Sequence, residues 1–270
     1  MSRPKVGLAL GAGGARGLAH IGVIKVLVDA GIPIDYIAGS SMGSLVGSIY
    51  ASGFPIHMAE QLAVNLKRKV WLDFTIPKKG LLSGEKAREL VRLLTKKKRL
   101  EELDIPTAVV ATDLTQGKRV VFTHGPTDEA VRASISIPGI FEPVRQGEQV
   151  LVDGGVIDRV PISVVREMGA DLVIAVDVHP RSPSTQINTI FDVILESIIL
   201  MEREILSERI LDADVIIHPD MDRISATAFT EAKTCIARGV EAATIQVERI
   251  QHLIDHWGEE GSDEESKELD

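Results

Sequence analysis

Short apolar runs alternate along the chain with stretches whose apolar residues recur every three to four positions. The runs Val6–Leu10, Tyr36–Ser40, Thr107–Thr112, Arg119–Thr123, Gln149–Asp153, Leu172–Val178 and Val215–His218 read as strands. Several are apolar throughout, the pattern of strands covered on both faces. Helical spacing fills the intervals. Leu18–Ala30 and Ser44–Ser52 follow the first two strands directly, and further helices are expected at 56–68, 84–95, 127–135, 161–168, 190–211 and 228–257. In the last of these, Ile236, Val240, Ala243, Val247, Ile250, Ile254 and Trp257 form one stripe, which suits packing on the chain's own sheet or a dimer seam. Strands alternating with helices predict an α/β fold around a mostly parallel central sheet. No repeat and no Pro/Gly/Ser linker divides the body, so residues 1–257 read as one domain.

Composition changes this picture at two places. Hydrophobic residues make up 44% of the 270 and charged residues 26%, ordinary for a globular domain, which excludes collagen-like and disulfide-dense scaffolds. Cys235 stands alone, so no intrachain disulfide can form. Of the net charge of −9, −6 lies in residues 259–270, so 258–270 read as an acidic, disordered tail. Residues 67–99 carry the opposite bias, twelve Lys and Arg against Asp73, Glu85 and Glu89. Interleaved with Trp71, Leu72, Phe74, Ile76, Leu81 and Leu82, these cations suit either an anionic membrane surface or two solvated amphipathic helices. No run has the length of a transmembrane helix. The N-terminal apolar run is rich in glycine and interrupted by Arg16, unlike a signal peptide, so a cytoplasmic protein is expected, with peripheral membrane contact through 67–99 and no nucleic-acid partner.

Three loops carry candidate chemistry. Gly39-Ser40-Ser41-Met42-Gly43, between a strand and a small-residue helix, fits the G-x-S-x-G nucleophile elbow, with Ser41 as nucleophile and Gly39 and Gly43 relieving its crowding. Gly11-Ala12-Gly13-Gly14-Ala15-Arg16-Gly17 follows the first strand and opens a helix, so its N–H groups can converge on an anion. A Rossmann fingerprint needs glycine where Arg16 stands, and a P-loop needs Gly-Lys-Ser/Thr where Gly17-Leu18-Ala19 stands. Both nucleotide readings therefore fail in detail. Asp153-Gly154-Gly155 places a carboxylate at a strand end, where it can act as a base or simply shape a turn. His20, Asp177 and His179 are rivals, and Ser41, Asp153 and His179 stand in the order of an α/β-hydrolase triad.

Taken in order, G-A-G-G-A-R-G, G-S-S-M-G and D-G-G resemble the patatin-like phospholipase family, with the short single-domain prokaryotic members most similar. Ala133–Val144 and Leu81–Gly84 also look like that family, and the likeness runs from about residue 5 to residue 180. The resemblance implies a three-layer α/β/α fold and a Ser-Asp dyad that needs no metal or organic cofactor. Ser41 would attack an ester carbonyl and Asp153 would take its proton. N–H groups at Gly13, Gly14 and Ala15 would hold the oxyanion, while Arg16 would orient the loop or meet a phosphate head group. The implied substrates are acyl esters of lipids, cleaved as by phospholipase A, a lysophospholipase or a broad acyl hydrolase. A lipid-binding regulatory protein on the same scaffold is the alternative.

Overall fold

The structure is a computed structural model that describes residues 3–65, 82–182, 193–194, 196–202 and 212–257. The acidic tail, the basic segment up to Leu81 and most of the helix expected at 190–211 lie outside the described residues.

Among the described residues, eight strands form one sheet: β1 (Val6–Leu10), β2 (Tyr36–Ser40), β3 (Thr107–Asp113), β4 (Lys118–Phe122), β5 (Val144–Gln146), β6 (Gln149–Asp153), β7 (Leu172–Val176) and β8 (Val215–Ile217). The central order is β3-β2-β1-β7-β8, all parallel. β4 pairs antiparallel with β3, and β5 and β6 form a hairpin. β5 escapes sequence reading because three residues are too few to show a period; its hairpin turns at Gly147 with φ 60°. The helices whose ends lie in the described residues are α1 (Ala19–Asp29), α2 (Met42–Ala51), α3 (Ile56–Asn65), α4 (Glu85–Leu94), α5 (Thr127–Ser134), α6 (Ile162–Glu167) and α7 (Ala232–Asp255). Each lies within or beside the interval its spacing predicts. Among the described residues no helix is long and apolar enough to cross a membrane.

The period-two alternation of the strands divides the core into two layers. On one face Leu8, Ile37, Val109 and Ile174 pack under α1, α2, α5 and α7. On the other, Ala108, Ala38, Ala9 and Ala175 align as one row across four strands. This row of small side chains lets α6 sit close: a Cβ placed on Gly7 would lie 2.0 Å from Val165 Cγ1. Helices thus cover both faces, as the expected α/β/α layering requires. The apolar stripe of α7 packs within the chain except at its end, where Trp257 lies beyond the helix and is exposed. Ile236, Ala243 and Ile250 are buried, and α7 crosses α1 so closely that a Cβ on Gly22 would meet the Ile236 carbonyl at 2.1 Å.

Two features of this topology assemble a site. The chain moves outward from β1 through β2 to β3, then returns to β7 on the other side of β1. The strand order switches at β1, and the loops after β1, β2 and β7 gather at the same end of the sheet, where such folds hold ligands. The second feature is on β3. Its residues Ile37-facing through Ser40-facing pair with β2, and the next three pair with β6, which runs in the opposite direction along the same edge. Ser40 is opposite Val110 and Asp153 is opposite Ala111, so the C-terminal ends of β2 and β6 meet head to head at adjacent rungs.

Candidate active site

Ser41 sits where β2 stops and α2 begins, with φ 52° and ψ −122°. A non-glycine residue in that region costs on the order of 1–3 kcal/mol and persists only when its surroundings hold it. Here they do. The Ser41 N–H donates to Ser134 Oγ at 2.9 Å, and that hydroxyl donates to the Val110 carbonyl at 2.6 Å. The Ser41 carbonyl accepts from Ser44 Oγ at 2.6 Å and opens the ladder of α2. Gly39 and Gly43 permit the tight turn. A Cβ on Gly39 would lie 2.5 Å from the Ser44 backbone, and one on Gly43 would lie 2.1 Å from the Leu10 carbonyl oxygen.

The head-to-head strand ends bring the acid to the hydroxyl. Ser41 Oγ donates to Asp153 Oδ2 at 2.5 Å, and both residues are buried. Asp153 Oδ1 accepts the Gly155 N–H at 2.8 Å, and the Asp153 N–H donates to the Ser136 carbonyl at 3.0 Å. Burial raises the Asp153 carboxyl to about 7; the Ser41 hydrogen bond opposes the shift and the nearby Glu202 charge adds to it. A carboxylate with that value is a far better proton acceptor than one near 4.

The glycine loop closes the same pocket, which is lined by Ala12, Gly13, Gly14, Arg16, Ser41 and Asp153 together with Ile137, Arg159 and Glu202. The loop is tied on several sides. Ala12 N–H donates to the Arg159 carbonyl at 2.9 Å, Ala15 N–H to the Ala226 carbonyl at 2.7 Å and Arg16 N–H to the Gly13 carbonyl at 3.2 Å. The Ala15 amide is thus already engaged, which leaves Gly13 and Gly14 as the loop's candidate oxyanion donors. Arg16 is only 2% exposed, and its Nε donates to the Ile224 carbonyl at 2.6 Å, a contact that fixes the loop against the 224–226 strap.

Of the rival residues, His20 and Asp177 brace the site from outside it. His20 Nε2 meets the Gly11 carbonyl at 2.8 Å, and burial lowers its pKa to about 4, so the neutral ring braces the loop. His179 does not line the pocket. Asp177 pairs with Arg159 at 3.5 Å and with His218 at 3.4 Å. Burial works against its ionisation, but the His218 hydrogen bond and the Arg159 charge hold it at about 2. Arg159 also pairs with buried Glu202. Sequence reading misses Ser134, Ser136, Arg159 and Glu202. The first two lie in the family-like block Ala133–Val144, where the S-x-S spacing is the only available signal, and each secures one half of the Ser41–Asp153 pair.

A family model, "Patatin-like phospholipase", matches residues 8–166. An uncharacterised NTE family protein of Mycobacterium tuberculosis is 45% identical over 181 residues, covering 66% of this chain and 50% of that protein. Lysophospholipase NTE1 of Yarrowia lipolytica is 34% identical over 194 residues, 70% of this chain and 14% of the fungal protein. Among solved structures, VipD from Legionella pneumophila superposes with a TM-score of 0.67 at 14% identity, covering 92% of this chain and 67% of that one. The type III effector ExoU superposes at 0.51 and 12% identity, covering 92% and 53%. The chain belongs to the patatin-like phospholipase family, and its fold is the mixed α/β arrangement of these neighbours. The chain spans half or less of the length of the curated relatives it matches here.

Proposed function

We propose that the chain is a serine esterase that cleaves acyl esters of lipids, phospholipids or lysophospholipids among them, through a Ser41–Asp153 dyad and an acyl-enzyme. The observation that carries this reading is the 2.5 Å hydrogen bond from a serine hydroxyl at a positive-φ strand-to-helix turn to a buried carboxylate raised to about 7. Asp153 Oδ2 accepts the hydroxyl proton as Ser41 Oγ adds to the ester carbonyl. The carbonyl electrons move to oxygen, and the N–H groups of Gly13 and Gly14 stabilise that oxyanion. As the carbonyl re-forms, Asp153 returns the proton to the departing alcohol. Water then attacks the acyl-serine with Asp153 again as base, releasing the fatty acid. No step uses a histidine or draws on a metal or organic cofactor.

Substrate at a lipid surface requires a docking face, and the basic segment supplies one candidate. Its described part is less positive than the residue count implies. Arg88 pairs with Asp128 and Glu129, which the fold brings over from α5, while Lys98 pairs with Asp104 and Arg99 with Glu101 a few residues further along the chain. Exposed Lys96 and Lys97 remain favourable positions for anionic lipid. The compartment proposed is the cytoplasm, with peripheral contact at the membrane.

The decisive experiment combines a fluorophosphonate probe with a panel of p-nitrophenyl esters, lysophospholipids and phospholipids. Wild type should be labelled and active, and Ser41→Ala neither. An unlabelled wild type that binds lipid without turnover would replace the esterase by the regulatory-scaffold reading.

A further inference from the structure

Arg159 and Glu202 are buried, line the catalytic pocket beside Ser41 and Asp153, and take no part in the proton transfers above. Arg159 is a hub. Its Nη1 pairs with Glu202 Oε2, its Nε faces Asp177 Oδ1 at 3.5 Å, and its carbonyl accepts the Ala12 N–H of the glycine loop at 2.9 Å. Its Nη2 is buried and makes no hydrogen bond among the described residues. A buried donor of that kind is ordinarily met by water.

Gly155 shows how close Glu202 comes to the catalytic acid. A Cβ there would lie 2.8 Å from Glu202 Oε1 and 3.1 Å from Asp153 Oδ1, so both carboxyl groups close on one point that glycine leaves open. Two carboxylates so near each other are costly, and the Arg159 cation offsets the charge of Glu202. The pocket has a volume of about 40 Å³, room for ordered water. Hydrolysis of an acyl-serine needs a water with one O–H aimed at the base and one lone pair aimed at the acyl carbon. A water that accepts from Arg159 Nη2 and donates one O–H to Glu202 Oε1 keeps its other O–H for Asp153 and its other lone pair for the ester. Resting on the esterase reading above, we propose that Arg159 Nη2 and Glu202 Oε1 hold the hydrolytic water of the deacylation step. As the water oxygen bonds to the acyl carbon, Asp153 takes one proton. The bond from that carbon to Ser41 Oγ then breaks, the proton passes to Oγ, and the fatty acid leaves. Glu202 orients the second O–H and is not itself protonated.

The test follows p-nitrophenyl butyrate by stopped flow at pH 8.5, where Asp153 is ionised, for wild type, Glu202→Gln and Arg159→Lys. The good leaving group makes acylation fast, so steady-state turnover reports the water step. In Glu202→Gln the amide oxygen stays with Arg159 and the amide nitrogen donates where the carboxylate accepted. Arg159→Lys keeps the cation but replaces the three-nitrogen fork by a single ammonium. In both variants the first-turnover rate and fluorophosphonate labelling, which need no water, should match wild type. The steady-state rate should fall about tenfold or more. Butyryl-Ser41 should accumulate beyond its wild-type level by intact-mass spectrometry, and hydroxylamine, which attacks the acyl-enzyme without a positioned base, should restore turnover. First-turnover and steady-state rates lowered by one common factor, or a steady-state rate unchanged in both variants, would overturn the water site and leave the esterase reading standing. If Glu202→Gln shows neither labelling nor a melting transition, Arg159→Lys decides by the same criteria. A wild type that is not labelled and releases no p-nitrophenol removes the esterase reading and the water site with it.

Discussion

The raised Asp153 carboxyl has a consequence for stability that can be separated from catalysis. An ordinary Asp loses its proton near 3.8, whereas Asp153 in the folded chain holds it to about 7. Below pH 4 both folded and unfolded forms are protonated and the shift contributes nothing relative to a neutral side chain. Between pH 4 and 7 the unfolded chain has released the proton and the folded chain has not, so stability falls as pH rises and levels off above 7. Three pKa units at about 1.4 kcal/mol each make that loss on the order of 4 kcal/mol. Asp153→Asn removes it. The amide oxygen can still accept the Gly155 N–H, and the amide nitrogen can donate to Ser41 Oγ, so the local geometry survives the change. Asp153→Asn should therefore unfold close to wild type in urea at pH 4, and should exceed it by on the order of 4 kcal/mol at pH 8. At roughly 2–4 °C per kcal/mol for a domain of this size, the melting temperature at pH 8 should rise by roughly 10 °C. The same variant should hydrolyse no ester. A stability difference that stayed constant from pH 4 to 8, or a variant no more stable than wild type at pH 8, would refute the assignment of a desolvated, high-pKa carboxyl to this site.

Other outcomes follow from the same geometry. Because Asp153 must be ionised to accept a proton, kcat/KM should climb through pH about 7 with unit slope, and Glu202→Gln, which removes a neighbouring negative charge, should move that limb about one unit lower. Gly14→Ala places a Cβ 2.4 Å from the Ala226 carbonyl at φ 56°, so it should lower kcat a hundredfold or more with little change in KM; a rise in KM alone would assign the loop to ground-state binding. Ser134→Ala removes the acceptor of the Ser41 N–H and should cost on the order of 1–3 kcal/mol in urea unfolding together with a fall in kcat; unchanged values for both would remove it from the elbow's support. Lys96→Glu/Lys97→Glu should weaken sedimentation with anionic vesicles at low salt and spare small soluble esters, whereas wild-type binding that ignores salt would exclude this docking face.

The periodicity of the chain determined most of the fold. Seven of the eight strands and every described helix are local patterns of apolar residues, and the small-residue turns at Gly39–Gly43 and Gly11–Gly17 announce themselves because few residues other than glycine fit such close approaches. Candidate nucleophile and acid were legible for the same reason: each stands at the end of a strand beside glycine. Their contact was implied by the family resemblance alone and not by any pattern in the residues. Ser41 and Asp153 are 112 positions apart, and they meet because β2 and β6 share one edge of β3 from opposite directions, a register that long-range pairing alone sets. Charge was the least legible property. The twelve cations of 67–99 give no hint in sequence that Asp128 and Glu129 come to face Arg88, or that Asp104 pairs with Lys98. The height of the Asp153 pKa likewise depends on burial and on Glu202, 49 positions further along, since the energy of a charge is set by what surrounds it in space and not by its neighbours in sequence.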